Sequence, residues 1–179
     1  MTQIGNVYAQ GLYSLAKEES CEKTILDQLL VLEKAFVQEP DFLRLLSSPN
    51  LSKDERCSIL DSSFRDKVHP YVLNFMKILT EKGYVRHFPQ CAQAYKDQYN
   101  DEHGILTVKA VSAVALSEVQ TQKLANKLAA ITGKEIELTN KIDPNCLGGI
   151  RLDYDGKRID GTVRNRLDEI HNLLKNTVL

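Results

Sequence analysis

The chain has 179 residues, of which 42% are hydrophobic and 26% charged, an ordinary composition for a globular protein. A formal net charge of −1 argues against a broad basic surface of the kind that attracts nucleic acid. No apolar run approaches the roughly 20 residues that span a bilayer. The first residues also lack the pattern of a signal or transit peptide, so we expect neither.

The four cysteines are widely spaced and form no Cys-x-x-Cys pair. This spacing favours reduced thiols in a cytosolic protein, with a disulfide or metal framework as the alternative.

Residues 1–103 read as helix throughout, because apolar residues recur at three- and four-residue steps. Pro40 ends one helix, Ser52 and Glu55 form a capping box, Pro70 suits a first helical turn, and Gly83 suits a helix end. We predict six helices in a compact antiparallel bundle. Their apolar faces lie at about 4–15, 25–37, 42–46, 59–64, 71–80 and 85–99.

In residues 104–179 the spacing of apolar residues changes, with alternating runs in place of continuous helical steps. This pattern predicts the order β-α-β-β-β-α. Strands are expected at 105–114, about 136–142, 147–154 and 157–159, the last two joined by the hairpin signal Asp155-Gly156. Ser117 and Gln120 form a second capping box, which opens a helix that Gly133 closes. A final helix is predicted from about Thr162, with Val163, Leu167, Ile170 and Leu174 at helical steps. The fold class is therefore α+β, with a bundle at 1–103 and a small α/β domain at 104–179.

No constellation of catalytic or metal-binding residues stands out. The four histidines share no motif, and no nucleophile elbow or zinc spacing occurs. Gly148-Gly149 lacks the helix and lysine of a phosphate loop, which favours a β-bulge or a close backbone approach. Asp160-Gly161-Thr162 is explained by helix capping. We predict no catalytic residue, no cofactor and no metal.

Arg164 and Arg166 fall in the first turn of the last helix, where positive charge opposes the helix dipole. One hypothesis is that they meet acidic groups of a partner or of the sheet. The alternative is two solvated or internally paired arginines.

Gly11 is the most informative residue of the bundle, since glycine inside a helix costs about 1 kcal/mol relative to alanine. A small residue on an apolar face lets another helix approach closely. Tyr8, Gly11, Leu12 and Leu15 could thus line a groove whose second wall is the helix at 71–80. Periodicity alone leaves open the alternative that all of them are internal core.

Three segments resemble the delta subunit family of bacterial F-type ATP synthase, whose mitochondrial counterpart is the oligomycin-sensitivity-conferring protein. The segment 8–16, YAQGLYSLA, is similar to the family's opening helix, and 74–79 with Lys82-Gly83-Tyr84 is similar to its fifth helix and turn. The most specific likeness is GGIRL at 148–152 together with IDGTVRNRL at 159–167. This chain departs from the family pattern at Gly11, where alanine is usual, at Lys82, where asparagine is usual, and at Thr162, which replaces a common serine.

The resemblance implies a non-catalytic stator subunit that joins the catalytic head to the peripheral stalk, so that rotor torque drives ATP synthesis by proton transport. It implies that the first and fifth helices receive the N-terminal helix of an alpha subunit. The residues carried over to this groove are Tyr8, Gly11, Leu12, Leu15, Asn74, Phe75 and Ile78.

The resemblance also implies that the C-terminal domain meets b-type stalk subunits. One copy per complex would lie at the cytoplasmic face of the bacterial cell membrane, attached only through the complex.

The competing interpretation is a small nucleic-acid-binding module built on the second domain. Such modules present stacking aromatics on a basic surface. Residues 104–179 contain a single aromatic residue, Tyr154, and only a small positive charge. The residues therefore favour the stator over this alternative.

Overall fold

A computed structural model of the chain describes residues 3–167. Seven α-helices and four β-strands lie within that range, together with a further helical segment at 163–167. The helices are α1 (Gln3–Glu18), α2 (Glu22–Gln38), α3 (Pro40–Leu46), α4 (Lys53–Phe64), α5 (Pro70–Glu81), α6 (Phe88–Glu102) and α7 (Glu118–Thr132). Short 3-10 turns at Val85–His87 and Pro144–Cys146 precede α6 and the third strand. An α+β fold is thus observed.

Helix boundaries follow the signals in the sequence. Ser52 accepts a hydrogen bond from the Glu55 backbone N–H while the Glu55 carboxylate accepts one from the Ser52 N–H, which confirms the capping box of α4. Pro40 opens α3 rather than only ending α2, because its missing N–H costs nothing in a first turn. Pro70 opens α5 in the same way.

The helical part of the chain buries an aromatic core. The Tyr13 and Tyr95 rings meet edge to face with centroids 5.2 Å apart, and Phe36 meets Phe88 at 5.0 Å. The Tyr95 hydroxyl donates to the Glu22 carbonyl at 3.1 Å, which provides the buried phenol with a partner. These contacts join α1, α2 and α6.

The strands are β1 (Ile105–Ser112), β2 (Glu135–Ile142), β3 (Ile150–Tyr154) and β4 (Lys157–Asp160), in the spatial order β2-β1-β3-β4. β1 runs parallel to β2 and antiparallel to β3, and β3 and β4 form a hairpin. Asp155 and Gly156 both have positive φ, as the predicted hairpin turn requires. Val108 and Ala110 lie on β1, between β2 and β3, and are fully buried.

Two strand predictions were too long. β1 ends at Ser112, because the Ser112 side chain turns back to donate to the Val114 carbonyl at 2.7 Å. β3 begins at Ile150 rather than at Leu147, because Leu147 follows the 3-10 turn in a left-handed conformation with φ of 60°. Residues 163–167 are helical, as predicted for the last helix, whereas Ile170 and Leu174 lie outside the described residues.

The chain divides into two compact units, one up to Tyr99 and one from Asn100 onward. The sequence predicts this division at His103, four residues later than observed. Among the residues described, no helix is both long and apolar enough to cross a membrane.

Candidate partner-binding site

Helix α1 has two different apolar faces. One face contains Ala9, Leu12, Tyr13 and Ala16 and is buried in the core. The other exposes Val7 (64%) and Leu15 (49%), with Gly11 between them, one turn from each. The stripe predicted from the sequence therefore splits, since Leu12 belongs to the core while Gly11 and Leu15 face outward.

Gly11 has no structural reason to be glycine within the described fold. Its φ is not in the left-handed region, and a Cβ placed on it would meet no atom within 4 Å. Alanine would therefore fit without strain and would favour the helix by about 1 kcal/mol. Because glycine has no side chain, it leaves the surface of α1 open at this position.

Helix α5 is buried on one side and open on the other. Phe75 is in the core, with its ring 6.3 Å from that of Phe88, while Asn74 is exposed and Ile78 is 45% exposed. The His69 Nδ1 atom accepts a hydrogen bond from the Tyr71 N–H at 3.3 Å and so caps the first turn. Burial of the opposite side in the core thus fixes the side of α5 that faces outward.

Helices α1 and α5 pack against each other. Tyr8 is half-buried, and its ring lies 6.1 Å from that of Tyr84, in the turn that follows α5. We call the surface formed by Val7, Tyr8, Gly11, Leu15, Asn74 and Ile78 the α1–α5 face.

The structure separates the seven predicted groove residues into two groups. Tyr8, Gly11, Leu15, Asn74 and Ile78 are on the α1–α5 face, whereas Leu12 and Phe75 are buried beneath it. Val7 belongs to this face but was not among the predicted groove residues. Its spacing of four residues from Gly11 is the signal that could have found it.

The described part of the C-terminal unit contains a local polar network. Asp153 lies between two arginines, with its carboxylate 2.7 Å from Arg158 Nε and 3.4 Å from Arg151 Nε. The hydrogen bond from Arg158 is the main cause of the lowered pKa of Asp153.

The Thr162 side chain and N–H both donate to the Asp160 carboxylate, which lowers the pKa of Asp160. The Thr162 hydroxyl also accepts from the Asn165 N–H, which confirms the predicted helix cap.

Gly148-Gly149 is a close backbone approach, one of the two structures predicted for it. A Cβ on Gly149 would lie 2.4 Å from the Gly161 carbonyl oxygen, and Gly149 has φ of 77°. The Gly148 carbonyl accepts from the Val163 N–H at 3.0 Å, so this segment pairs with the start of the last helix. Within residues 3–167, no group of three or more His, Cys, Asp or Glu side chains is placed to hold a metal.

These features describe an α+β protein with exposed apolar side chains on α1 and α5. The family model for the ATP synthase delta (OSCP) subunit matches residues 4–174. The ATP synthase subunit delta of Clostridioides difficile is 30% identical over 98% of this chain and 97% of its own length. That of Lactobacillus johnsonii is 33% identical over 96% and 94%. This chain belongs to the ATP synthase delta (OSCP) family.

The fold is shared with a solved relative. A chain in the cryo-EM structure of the Toxoplasma gondii mitochondrial ATP synthase hexamer matches with a TM-score of 0.78 at 19% identity, covering 97% of this chain and 98% of that chain. Family membership makes the chain a non-catalytic subunit of an F-type ATP synthase.

Proposed function

We propose that this subunit is the link between the catalytic head and the peripheral stalk. Residues 1–103 act as a six-helix bundle seated on the head, and residues 104–179 bind b-type stalk subunits. One copy serves each complex at the cytoplasmic face of the bacterial membrane, attached through its partners and without a cofactor or nucleic acid.

The α1–α5 face carries the head-binding half of this proposal. Gly11 is exposed in mid-helix between the exposed Val7 and Leu15, and the neighbouring helix α5 exposes Ile78. An amphipathic helix that lays its apolar side on such a surface is a common recognition mode. The N-terminal helix of an alpha subunit is the occupant that family membership suggests. Leu12 and Phe75 support the face from within and do not touch the partner.

The role is mechanical, so the strength of the two interfaces matters more than any reactive group. Rotation of the central rotor would drag the head along unless the head were held. Each interface must then resist shear for longer than one turnover, which calls for slow dissociation. At about 25 cal/mol per Å², burying several hundred Å² of apolar surface gives several kcal/mol before ordering costs.

A peptide-binding experiment tests the head-binding half. The probe is a synthetic peptide with the N-terminal sequence of the alpha subunit from the same organism, titrated against the full chain. We expect Gly11→Leu to weaken binding at least tenfold, because the leucine fills the space above α1. The free protein should stay folded, since an added Cβ meets nothing within 4 Å.

Ala35→Leu in the last turn of α2 is the control, because Ala35 is also exposed on a helix and lies outside the α1–α5 face. This variant should bind as the natural chain does. If folded Gly11→Leu binds with unchanged affinity, the head-binding site lies elsewhere on the subunit.

A further inference from the structure

The sequence contains two Asp-Gly pairs, Asp155-Gly156 and Asp160-Gly161, which lie at opposite ends of β4. In such a pair the backbone nitrogen of the glycine can attack the side-chain carboxyl carbon of the aspartate, because glycine has no Cβ to hinder the approach. The two pairs share this local chemistry but have different surroundings in the fold. One chain therefore allows a direct comparison between them.

Asp155-Gly156 is the open pair, at the turn of the β3–β4 hairpin. Both residues are exposed, and a Cβ on Gly156 would meet no atom within 4 Å. Tyr154 and Lys157 are the pair of strand residues next to the turn, and β4 is the edge strand of the described sheet. Local opening at this end costs little, because it leaves the other strands paired. The backbone can therefore rotate to bring the glycine nitrogen onto the carboxyl carbon.

Asp160-Gly161 is held by hydrogen bonds at both reacting groups. The Asp160 carboxylate accepts from the Thr162 hydroxyl at 2.7 Å and from the Thr162 N–H at 3.0 Å. These bonds lower the pKa of Asp160, so the neutral acid, from which water leaves more readily, is scarcer. The Gly161 N–H donates to the Ile150 carbonyl at 3.1 Å, and a Cβ on Gly161 would lie 3.2 Å from that oxygen. The nitrogen and the carboxyl group are thus both fixed in other contacts.

We propose that Asp155 is a site of spontaneous modification to isoaspartate, whereas the fold protects Asp160. The Gly156 nitrogen forms a bond to Cγ of the protonated Asp155 side chain, and the hydrogen of the nitrogen leaves with the carboxyl hydroxyl as water. Water then adds to the resulting succinimide ring. Opening at the side-chain carbonyl restores aspartate. Opening at the main-chain carbonyl gives isoaspartate, in which the main chain runs through the side-chain carbons.

Isoaspartate disturbs the hairpin, because it adds a carbon atom to the main chain between two directly paired residues. The turn joins Tyr154 to Lys157, and the next pair along the strands contains the contact from Arg158 Nε to the Asp153 carboxylate at 2.7 Å. Strand β3 is also paired with β1, while β4 is at the edge. We therefore expect modification to detach β4 and to leave β3 on β1.

The test compares the two pairs in the folded and the unfolded chain. The full chain is incubated in mildly acidic buffer, with and without guanidinium chloride, until the unfolded sample has converted a large part of Asp155. Trypsin cleaves after Arg151, Lys157, Arg158 and Arg164, which places the two pairs in separate peptides, 152–157 and 159–164. Chromatography and mass spectrometry then measure the fraction of succinimide and isoaspartate in each peptide.

In the unfolded chain both peptides should gain isoaspartate, because both contain an Asp-Gly pair. In the folded chain peptide 152–157 should gain several-fold more than peptide 159–164. Equal modification of the two peptides in the folded chain overturns the inference. An unmodified Asp155 in the folded chain, under conditions that convert it in the unfolded chain, overturns it as well.

Asp155→Glu is the control variant, because the larger ring that glutamate would form closes much more slowly. Peptide 152–157 of this variant should stay unmodified, while peptide 159–164 behaves as in the natural chain. Persistent isoaspartate in peptide 152–157 of the variant would assign the modification to Asp153, the other aspartate of that peptide, and would contradict the assignment to Asp155.

Discussion

Gly149 shows how strongly one residue can be constrained by the backbone around it. Both its positive φ and the nearby Gly161 carbonyl exclude a side chain. We expect Gly149→Ala to lower the free energy of unfolding by more than about 2 kcal/mol, because the clash is with backbone that cannot rotate away. Chemical denaturation followed by circular dichroism measures this.

Gly156 provides the matched comparison for that substitution. Its φ is also positive, at 68°, but a Cβ there would meet no atom within 4 Å. Gly156→Ala should therefore cost only the conformational part, about 1 kcal/mol. Equal losses at the two positions would show that the close approach at Gly149 contributes nothing.

Cys91 makes the free energy of unfolding depend on pH in the alkaline range. The side chain is fully buried on α6, and burial raises its pKa to about 11. An unfolded thiol has a pKa near 8.5, so above that pH the folded state holds a proton that the unfolded state has released. The contribution of Cys91 to the free energy of unfolding is fully present below about pH 8.5, and it is lost as the pH rises toward 11. Between pH 7.5 and 9.5 the loss should be about 1 kcal/mol.

Cys91→Ala tests this dependence. The variant starts less stable at neutral pH, because it leaves a small cavity, but its stability should fall less between pH 7.5 and 9.5. Denaturant titrations at the two pH values give the comparison. If the free energy of unfolding of the variant falls as much between these pH values as that of the natural chain, groups other than Cys91 cause the loss.

At the scale of elements, the helices and the hairpin were predictable because their signals are local. Both serine capping boxes and the Asp155-Gly156 turn depend on residues a few positions apart, and the structure contains all three. The start of β3 was not predictable, because it depends on the left-handed backbone of Leu147 and Gly149. Alternation extends the strand back to Leu147, whereas these two positive φ angles make it begin at Ile150.

The apolar spacing also could not predict which side of α1 faces outward. The apolar stripe is wider than one core contact, so the same spacing is compatible with burial of either edge. Packing against the other helices decides that Leu12 and Tyr13 face inward and that Val7 and Leu15 do not. Of the seven predicted groove residues, five are exposed or half-buried on α1 and α5, and Leu12 and Phe75 are buried. That this surface binds a helix stays a prediction.

At the scale of the whole molecule, the order of helices followed by a small sheet could be predicted from the change of period near residue 103. Exposed apolar surfaces could not be predicted in the same way, because exposure of an apolar residue is a property of the fold. Leu147 is the clearest case, since its exposed side chain stands on a left-handed backbone that no sequence pattern indicates.

Proton-coupled ATP synthesis by the assembled enzyme provides the test of the whole molecule. A stator holds the head through two interfaces in series, so the weaker one limits the torque that is transmitted. Synthase stripped of this subunit and reconstituted with Gly11→Leu should lose most of its ATP synthesis in energised vesicles. The variant should still bind the stalk through its unaltered C-terminal domain.

Ala35→Leu is the control and should restore synthesis fully. Full coupling with a variant that no longer binds its partner peptide would mean that another contact holds the head.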